Sequence, residues 1–229
     1  MFVKVCGITR LTDALHAVQQ GATAVGFVFW PHSPRAVTPE RAAEIVAELP
    51  SSITTVGVFV NEPIDGICAV MRTTGIGAVQ LHGDEPPAYA DALGWPLIRA
   101  VSVDEVDEAC SAWSEETALL LDSIDPVRRG GTGAAIDWTV AADIARRRRI
   151  VLAGGLTPEN VSRAIFAVRP FGVDVSSGVE SSPGVKDFDK VTRFIVNARN
   201  AFAMDRGWTG DGPGEGGRGK WRKWGKWER

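Results

Sequence analysis

Short apolar, β-branched runs alternate with amphipathic stretches of helical spacing from residue 2 to about residue 203. Eight runs read as strands, at 2–6, 24–29, 54–60, 78–81, 96–101, 118–122, 149–153 and 172–175. Eight helical stretches accompany them, near 12–21, 39–48, 62–74, 85–93, 104–113, 138–147, 158–168 and 187–202. Several strand runs are apolar at nearly every position, as parallel strands covered on both faces require. Thr38-Pro39 and Thr157-Pro158 each offer a side-chain acceptor at the N-cap with Pro at the first helical position. Gly21, Gly75 and Gly94 follow helical stretches where a left-handed residue commonly ends a helix. Strict alternation implies right-handed βαβ units. Eight such units close into a (β/α)8 barrel with less exposed edge than an open doubly wound sheet would leave.

The pattern stops near residue 206. Residues 207–219 hold seven Gly, and the end, Lys220-Trp221-Arg222-Lys223-Trp224-Gly225-Lys226-Trp227, alternates basic and aromatic residues without helical or strand period. The expected organisation is a barrel domain over 1–203 and a disordered extension over 204–229. Charge divides the same way. Residues 205–229 carry seven Lys/Arg and four Asp/Glu, a net of +3, leaving 18 basic and 24 acidic groups, a net of −6, in the rest. The acidic body gives no reason to expect nucleic acid as partner. A binding role for RNA or an anionic membrane attaches only to the tail, with an inert appendage as the alternative.

Composition is that of an ordinary globular chain, 45% hydrophobic and 23% charged, which sets aside collagen, coiled coil and wholesale disorder. Cys6, Cys68 and Cys110 show no CxxC spacing and no neighbouring His cluster, so neither a zinc site nor a disulfide scaffold is expected. The start reads as a strand rather than a leader, and no apolar run is long enough to span a membrane. A soluble, cytoplasmic protein is the expectation.

Polar and glycine residues follow the C-terminal ends of the strands, which in a barrel ring one mouth. Gly154-Gly155 follows the seventh strand and Ser177-Gly178 the eighth. Glycine turns let backbone N–H groups approach an anion, and this is the recurrent phosphate position of the fold. Cys6 ends the first strand two residues after Lys4, placed for a base or nucleophile, with a small buried hydrophobe as the alternative. Asp122 ends the apolar sixth strand, where desolvation should raise its pKa and suit it to donate a proton; a loop cap or a partner for Arg128 or Arg129 is the other possibility. Arg35, in a Ser-Pro-Arg turn, has the forked geometry to clamp a carboxylate, though a solvated surface Arg is the usual case. Gly130, Gly131 and Gly133 mark 123–135 as a lid or a plain solvated loop. His82 also faces the mouth and reads as structural rather than catalytic, while Cys68 and Cys110 fall within helices as core residues.

At these residues the chain resembles the phosphoribosylanthranilate isomerase family. The similarity runs in order through Lys4-Val5-Cys6-Gly7-Ile8-Thr9, Ser33-Pro34-Arg35, Val79-Gln80-Leu81-His82-Gly83-Asp84, Leu121-Asp122-Ser123, Gly130-Gly131-Thr132-Gly133, Ala153-Gly154-Gly155-Leu156-Thr157 and Asp174-Val175-Ser176-Ser177-Gly178-Val179-Glu180. The resemblance implies a TIM barrel that performs an Amadori rearrangement in tryptophan biosynthesis, without metal or organic cofactor. It implies Cys6 as general base, Asp122 as general acid and Arg35 as the site of the anthranilate carboxylate. It implies Gly154, Gly155, Ser177 and Gly178 as the phosphate site. The expected partner is a phosphorylated small molecule, with a monomer expected and a dimer the alternative. The nearest rival is the histidine-pathway isomerase, which resembles a barrel with Asp where Cys6 stands and a phosphate motif in each half.

Overall fold

In the computed structural model, which describes residues 1–123 and 136–205, each strand run pairs in parallel with its predecessor and the last returns to the first. The order is β1 (Phe2–Cys6), α1 (Leu11–Gln20), β2 (Ala24–Val28), α2 (Pro39–Ala47), β3 (Thr54–Phe59), α3 (Ile64–Thr74), β4 (Ala78–Leu81) and α4 (Ala88–Leu93). The second half adds β5 (Leu97–Val101), α5 (Val106–Ala112), β6 (Ala118–Leu121), α6 (Trp138–Ala145), β7 (Ile150–Leu152), α7 (Val161–Val168) and β8 (Gly172–Val175). A 3₁₀ turn (Ser177–Val179), a hairpin of β9 (Glu180–Ser182) and β10 (Val185–Lys186), and α8 (Phe188–Met204) complete it. Strands β1 to β8 form a closed barrel, as the alternation predicts.

The two-residue period sorts every strand into an inner and an outer face. Val3, Val5, Leu119, Leu121, Val173 and Val175 point outward and join a core with the inner faces of the helices. Phe2, Ala24, Val56, Ala78, Ile98, Leu120 and Val151 point inward and fill the barrel. Both faces are dry, which is why the runs are apolar throughout rather than alternating. Each fully buried Leu or Ile contributes about 1.5–3 kcal/mol relative to exposure. Lys4 and Asp174 break the apolar interior: both are buried on neighbouring strands, in register with each other.

The local signals mostly act as read. Thr38 caps α2 by accepting from the Arg41 amide, with Pro39 at the first position. Gly21, Gly75 and Gly94 are all left-handed, at φ of 99°, 68° and 67°. Thr157-Pro158 does not cap α7. Thr157 and Asn160 instead form a separate turn, in which Asn160 Oδ1 accepts from the Thr157 amide at 2.8 Å, and the helix starts at Val161. The Thr-Pro pair fixes a turn in either setting, and only the path from β7 decides which.

The hairpin of β9 and β10 is absent from the sequence reading because the seven mostly polar residues 180–186, with Pro183 and Gly184 at their centre, give no two-period. Tertiary contacts hold it: buried Asp13 accepts from the Lys186 amide at 3.0 Å and from Arg10 at 2.8 Å. The glycines of the 123–135 segment, Arg128, Arg129 and the tail from residue 206 lie outside the described residues. Among the described residues no helix is long and apolar enough to cross a membrane.

Candidate active site

Side chains from five strands or the loops that follow them, and the backbone of the glycine turn after β7, converge at one mouth of the barrel. The inward parity of β1 that buries Phe2 also turns Lys4 and Cys6 inward, one above the other. Lys4 is wholly buried, and its Nζ donates to Asp174 Oδ2 at 3.0 Å. Cys6 is only 7% exposed. Gly26, the register partner of Cys6 on β2, makes room for both side chains: a Cβ there would lie 2.8 Å from Cys6 Sγ and 3.2 Å from Lys4 Nζ.

Cys6 therefore sits in a less open place than a reactive thiol usually occupies. Burial pushes its pKa up; Lys4, and more weakly Lys186, oppose this, and Asp174 adds to it. The outcome is a thiol held above its ordinary value. Lys4 stays an ammonium despite burial, because Asp174 and Cys6 both favour the charge and outweigh desolvation.

Asp122 follows the last residue of β6 and is half-buried. Its desolvation is real, but the expected rise does not result. Burial pushes the carboxyl up, while His82 and the Ser123 amide pull it down by more, so its pKa lies below the ordinary value. The Ser123 N–H donates to Asp122 Oδ1 at 2.8 Å, and His82 Nε2 lies 3.4 Å from Oδ2. His82, read from the sequence as a structural residue facing the mouth, is thus a direct neighbour of Asp122. Gln80, one inward position below, brings its side-chain amide within 3.0 Å of His82 Nδ1, which orients the ring with Nε2 toward Asp122. The sequence signal was available: Gln80, His82 and Asp122 all have the inward parity of their strands.

Arg35 reaches the same mouth from the loop after β2. Its aliphatic stem crosses Gly7, where a Cβ would lie 2.6 Å from Arg35 Cδ; Gly7 also has φ 74°, so only glycine suits it on both counts. The guanidinium is only partly exposed and is paired rather than left to solvent. Its Nε and Nη2 donate to Glu180 Oε1 and Oε2, each at 2.8 Å, and Lys186 Nζ donates to Oε1 at 2.9 Å. Glu180 pays part of its burial with these cations, which bring its pKa below the ordinary value although desolvation raises it. The Arg35–Glu180–Lys186 cluster was missed in the sequence because Glu180 and Lys186 sit in the hairpin.

Gly154 and Gly155 both adopt left-handed conformations, at φ 71° and 64°, and their amides have no backbone acceptor among the described residues. Ser177 and Gly178 open the 3₁₀ turn, whose first N–H groups have no partner within it. The two turns touch: a Cβ on Gly178 would collide with the Leu156 carbonyl oxygen. Among the described residues no three His, Cys, Asp or Glu side chains come together to hold a metal ion. Cys68 is buried within α3, and Cys110 lies in α5, packed against the outer core.

A closed eight-stranded parallel barrel with its titratable groups gathered at the C-terminal mouth defines a TIM-barrel enzyme. The comparisons narrow this. Residues 3–197 match the family described as N-(5′-phosphoribosyl)anthranilate (PRA) isomerase, and the chain belongs to that family. The N-(5′-phosphoribosyl)anthranilate isomerase of Pelobacter propionicus is 50% identical over 198 residues, covering 86% of this chain and 95% of its own length. The structure of phosphoribosyl anthranilate isomerase from Thermotoga maritima superposes with a TM-score of 0.81 at 45% identity, covering 87% of this chain and 99% of its own. A further isomerase structure, in complex with reduced 1-(o-carboxyphenylamino)-1-deoxyribulose 5-phosphate, matches with a TM-score of 0.78 at 44% identity, covering 87% and 99%.

Proposed function

We propose that Cys6 and Asp122 carry the family's reaction in this chain as general base and general acid, with Arg35 and the two glycine turns anchoring the substrate's ends. The chain is an aldose–ketose isomerase of tryptophan biosynthesis, acting on N-(5′-phosphoribosyl)anthranilate. Asp122 gives its proton to the furanose ring oxygen; the C1′–O bond breaks and the anthranilate nitrogen forms a Schiff base. Cys6 then removes the C2′ proton, its electrons form the C1′–C2′ double bond of an enolamine, and tautomerisation gives 1-(2-carboxyphenylamino)-1-deoxyribulose 5-phosphate. The observation that carries this reading is the convergence of Cys6 and Asp122, from β1 and the end of β6, on one mouth whose glycine turns present amides with no backbone acceptor among the described residues. Anchoring both anionic ends supplies the orientation that acid–base catalysis needs.

The shifts at these groups set the pH dependence. Catalysis needs a proton on Asp122 and none on Cys6. The free protein favours the reverse, since Asp122 is lowered and Cys6 raised. Both arrangements hold one proton across the pair, so they rise and fall together with pH. Activity is lost on the acid side only when the pair gains a second proton, below the usual carboxylate value of about 3.9. It is lost on the alkaline side when the last proton leaves, above the usual thiol value of about 8.5. With the substrate's own phosphate titration taken out, kcat/KM of the wild type is expected to be flat from about pH 5 to 8. A limb centred near pH 7 would count against the assignment, and a folded wild type inert toward this substrate would remove it.

Residues 1–203 then form the catalytic unit, free of any requirement for nucleic acid or membrane and working in the cytoplasm. Deleting 206–229 is then expected to leave kcat and KM within about twofold, since every group assigned to binding and catalysis lies within 1–203 and changes outside such groups move energies by only about 0.5 kcal/mol. A larger change in turnover contradicts an inert extension, and lost RNA or vesicle binding with unchanged turnover supports a separate role for it.

A further inference from the structure

Beneath the thiol lies a charge that the reaction above does not use. Lys4 is 0% exposed, and its ammonium has three N–H groups, of which one is committed to an oxygen, Asp174 Oδ2, among the described residues. It and Cys6 line the same gap opposite Gly26. A buried ion pair is weak as a stabilising device, because desolvating both charges consumes most of their attraction. An apolar pair would fill this layer as well as Leu120 and Ile98 fill theirs.

We propose that Lys4, fixed by Asp174, is a positioning residue whose ammonium favours the thiolate form of Cys6, the form that takes the C2′ proton and becomes the thiol. The proposal rests on the reading of Cys6 as base. Lys4 does not touch the reacting atoms; it acts through the sulfur. Proton abstraction requires negative charge on Sγ in a dry barrel, and a cation on the same strand face is the cheapest compensation.

The other charges facing Cys6 are already engaged. Lys186, from β10, and Arg35, from the loop after β2, both bond Glu180, and Asp174, from β8, bonds Lys4. Asp122 and His82 face each other across the mouth. Lys4 is thus the largest of the charges that favour the thiolate, with Lys186 the weaker second. Asp174 works in the opposite sense on the sulfur: it tethers the ammonium and repels the thiolate. Its Oδ1 is buried and unpaired among the described residues, so part of its charge is unspent.

These opposite senses give a test with two signs. Cys6 is titrated in the full chain by thiolate absorbance and by the pH dependence of iodoacetamide alkylation, each as the difference from Cys6→Ser. In Lys4→Met the midpoint is expected to rise by about one unit or more, within the 1–3 units a close opposite charge produces. In Asp174→Asn it is expected to fall. Lys4→Met is also expected to lose about tenfold in kcat at neutral pH, in proportion to a one-unit shift, with KM nearly unchanged.

Should Lys4→Met not fold, with Asp174 left unpaired, the double variant Lys4→Met/Asp174→Asn removes both charges and is still expected to titrate above wild type. A folded variant that titrates at the wild-type midpoint, or moves with the wrong sign, overturns the proposal. The titration requires no substrate. Shifts as expected with Cys6→Ser fully active would instead overturn the base reading of Cys6, while an inactive Cys6→Ser with no shifts would overturn Lys4 alone.

Discussion

Cys6→Ser and Asp122→Asn are each expected to lower kcat with N-(5′-phosphoribosyl)anthranilate by about 10²–10⁴-fold, the range a positioned acid or base supplies. Serine keeps the size and packing of Cys6 beside Gly26, but its hydroxyl is a far weaker acid, so no anion forms beneath the C2′ proton. Asparagine keeps the Ser123 amide bond and the contact with His82 at Asp122, yet has no proton to give the ring oxygen. Turnover is followed by the loss of substrate fluorescence, with folding checked by circular dichroism and KM measured alongside. A true acid or base moves kcat and leaves KM nearly as it was. Full activity in either folded variant would keep the reaction and remove that residue from it. Equal losses in both singles and in the double would show that they act as one unit.

Arg35→Met is expected to act on the other parameter, raising KM by about 10–10²-fold, the worth of one charge-assisted hydrogen bond of about 1.5–3 kcal/mol. In the structure Nε and Nη2 are bound to Glu180 at 2.8 Å each, which fixes the plane of the guanidinium. Nη1 has no hydrogen-bond partner among the described residues and is the group expected to meet an incoming carboxylate. Glu180 therefore orients Arg35 instead of competing with the substrate. Methionine retains the stem that lies across Gly7 and leaves Glu180 with Lys186, so the fold has a remaining cation at the cluster. Arg35→Lys restores charge without the fork, and its KM is expected to fall between the two. Unchanged KM in folded Arg35→Met would place the anthranilate carboxylate elsewhere.

Much of the molecule was readable in the linear pattern because strand period, helix caps and glycine turns are local properties. The strand limits agree to within a residue or two, and the left-handed glycines stand where helices had to stop. The position of Cys6, Asp122 and the glycine turns at one mouth followed from topology alone. What escaped the reading has one cause in each case. The β9–β10 hairpin owes its shape to Asp13 and Arg10, which no local window contains. Thr157-Pro158 carried a true turn signal, but the exit from β7 used it one turn before α7.

The sign of the Asp122 shift shows where sequence reasoning ends. Burial was correctly inferred from Ala118-Leu119-Leu120-Leu121, and by itself it raises a carboxyl. His82 and the Ser123 amide reverse it, and the position of His82 relative to Asp122 depends on how β4 and β6 are set around the barrel. The sequence by itself determined eight βα units, the dry outer and inner faces, and the family to which the chain belongs, because these are fixed by residue order and short-range geometry. Tertiary structure alone decided the pairing of Lys4 with Asp174 across 170 residues and of Arg35 with Glu180 across 145. Charge interactions depend on distance through space and on exclusion of water, and barrel closure sets both.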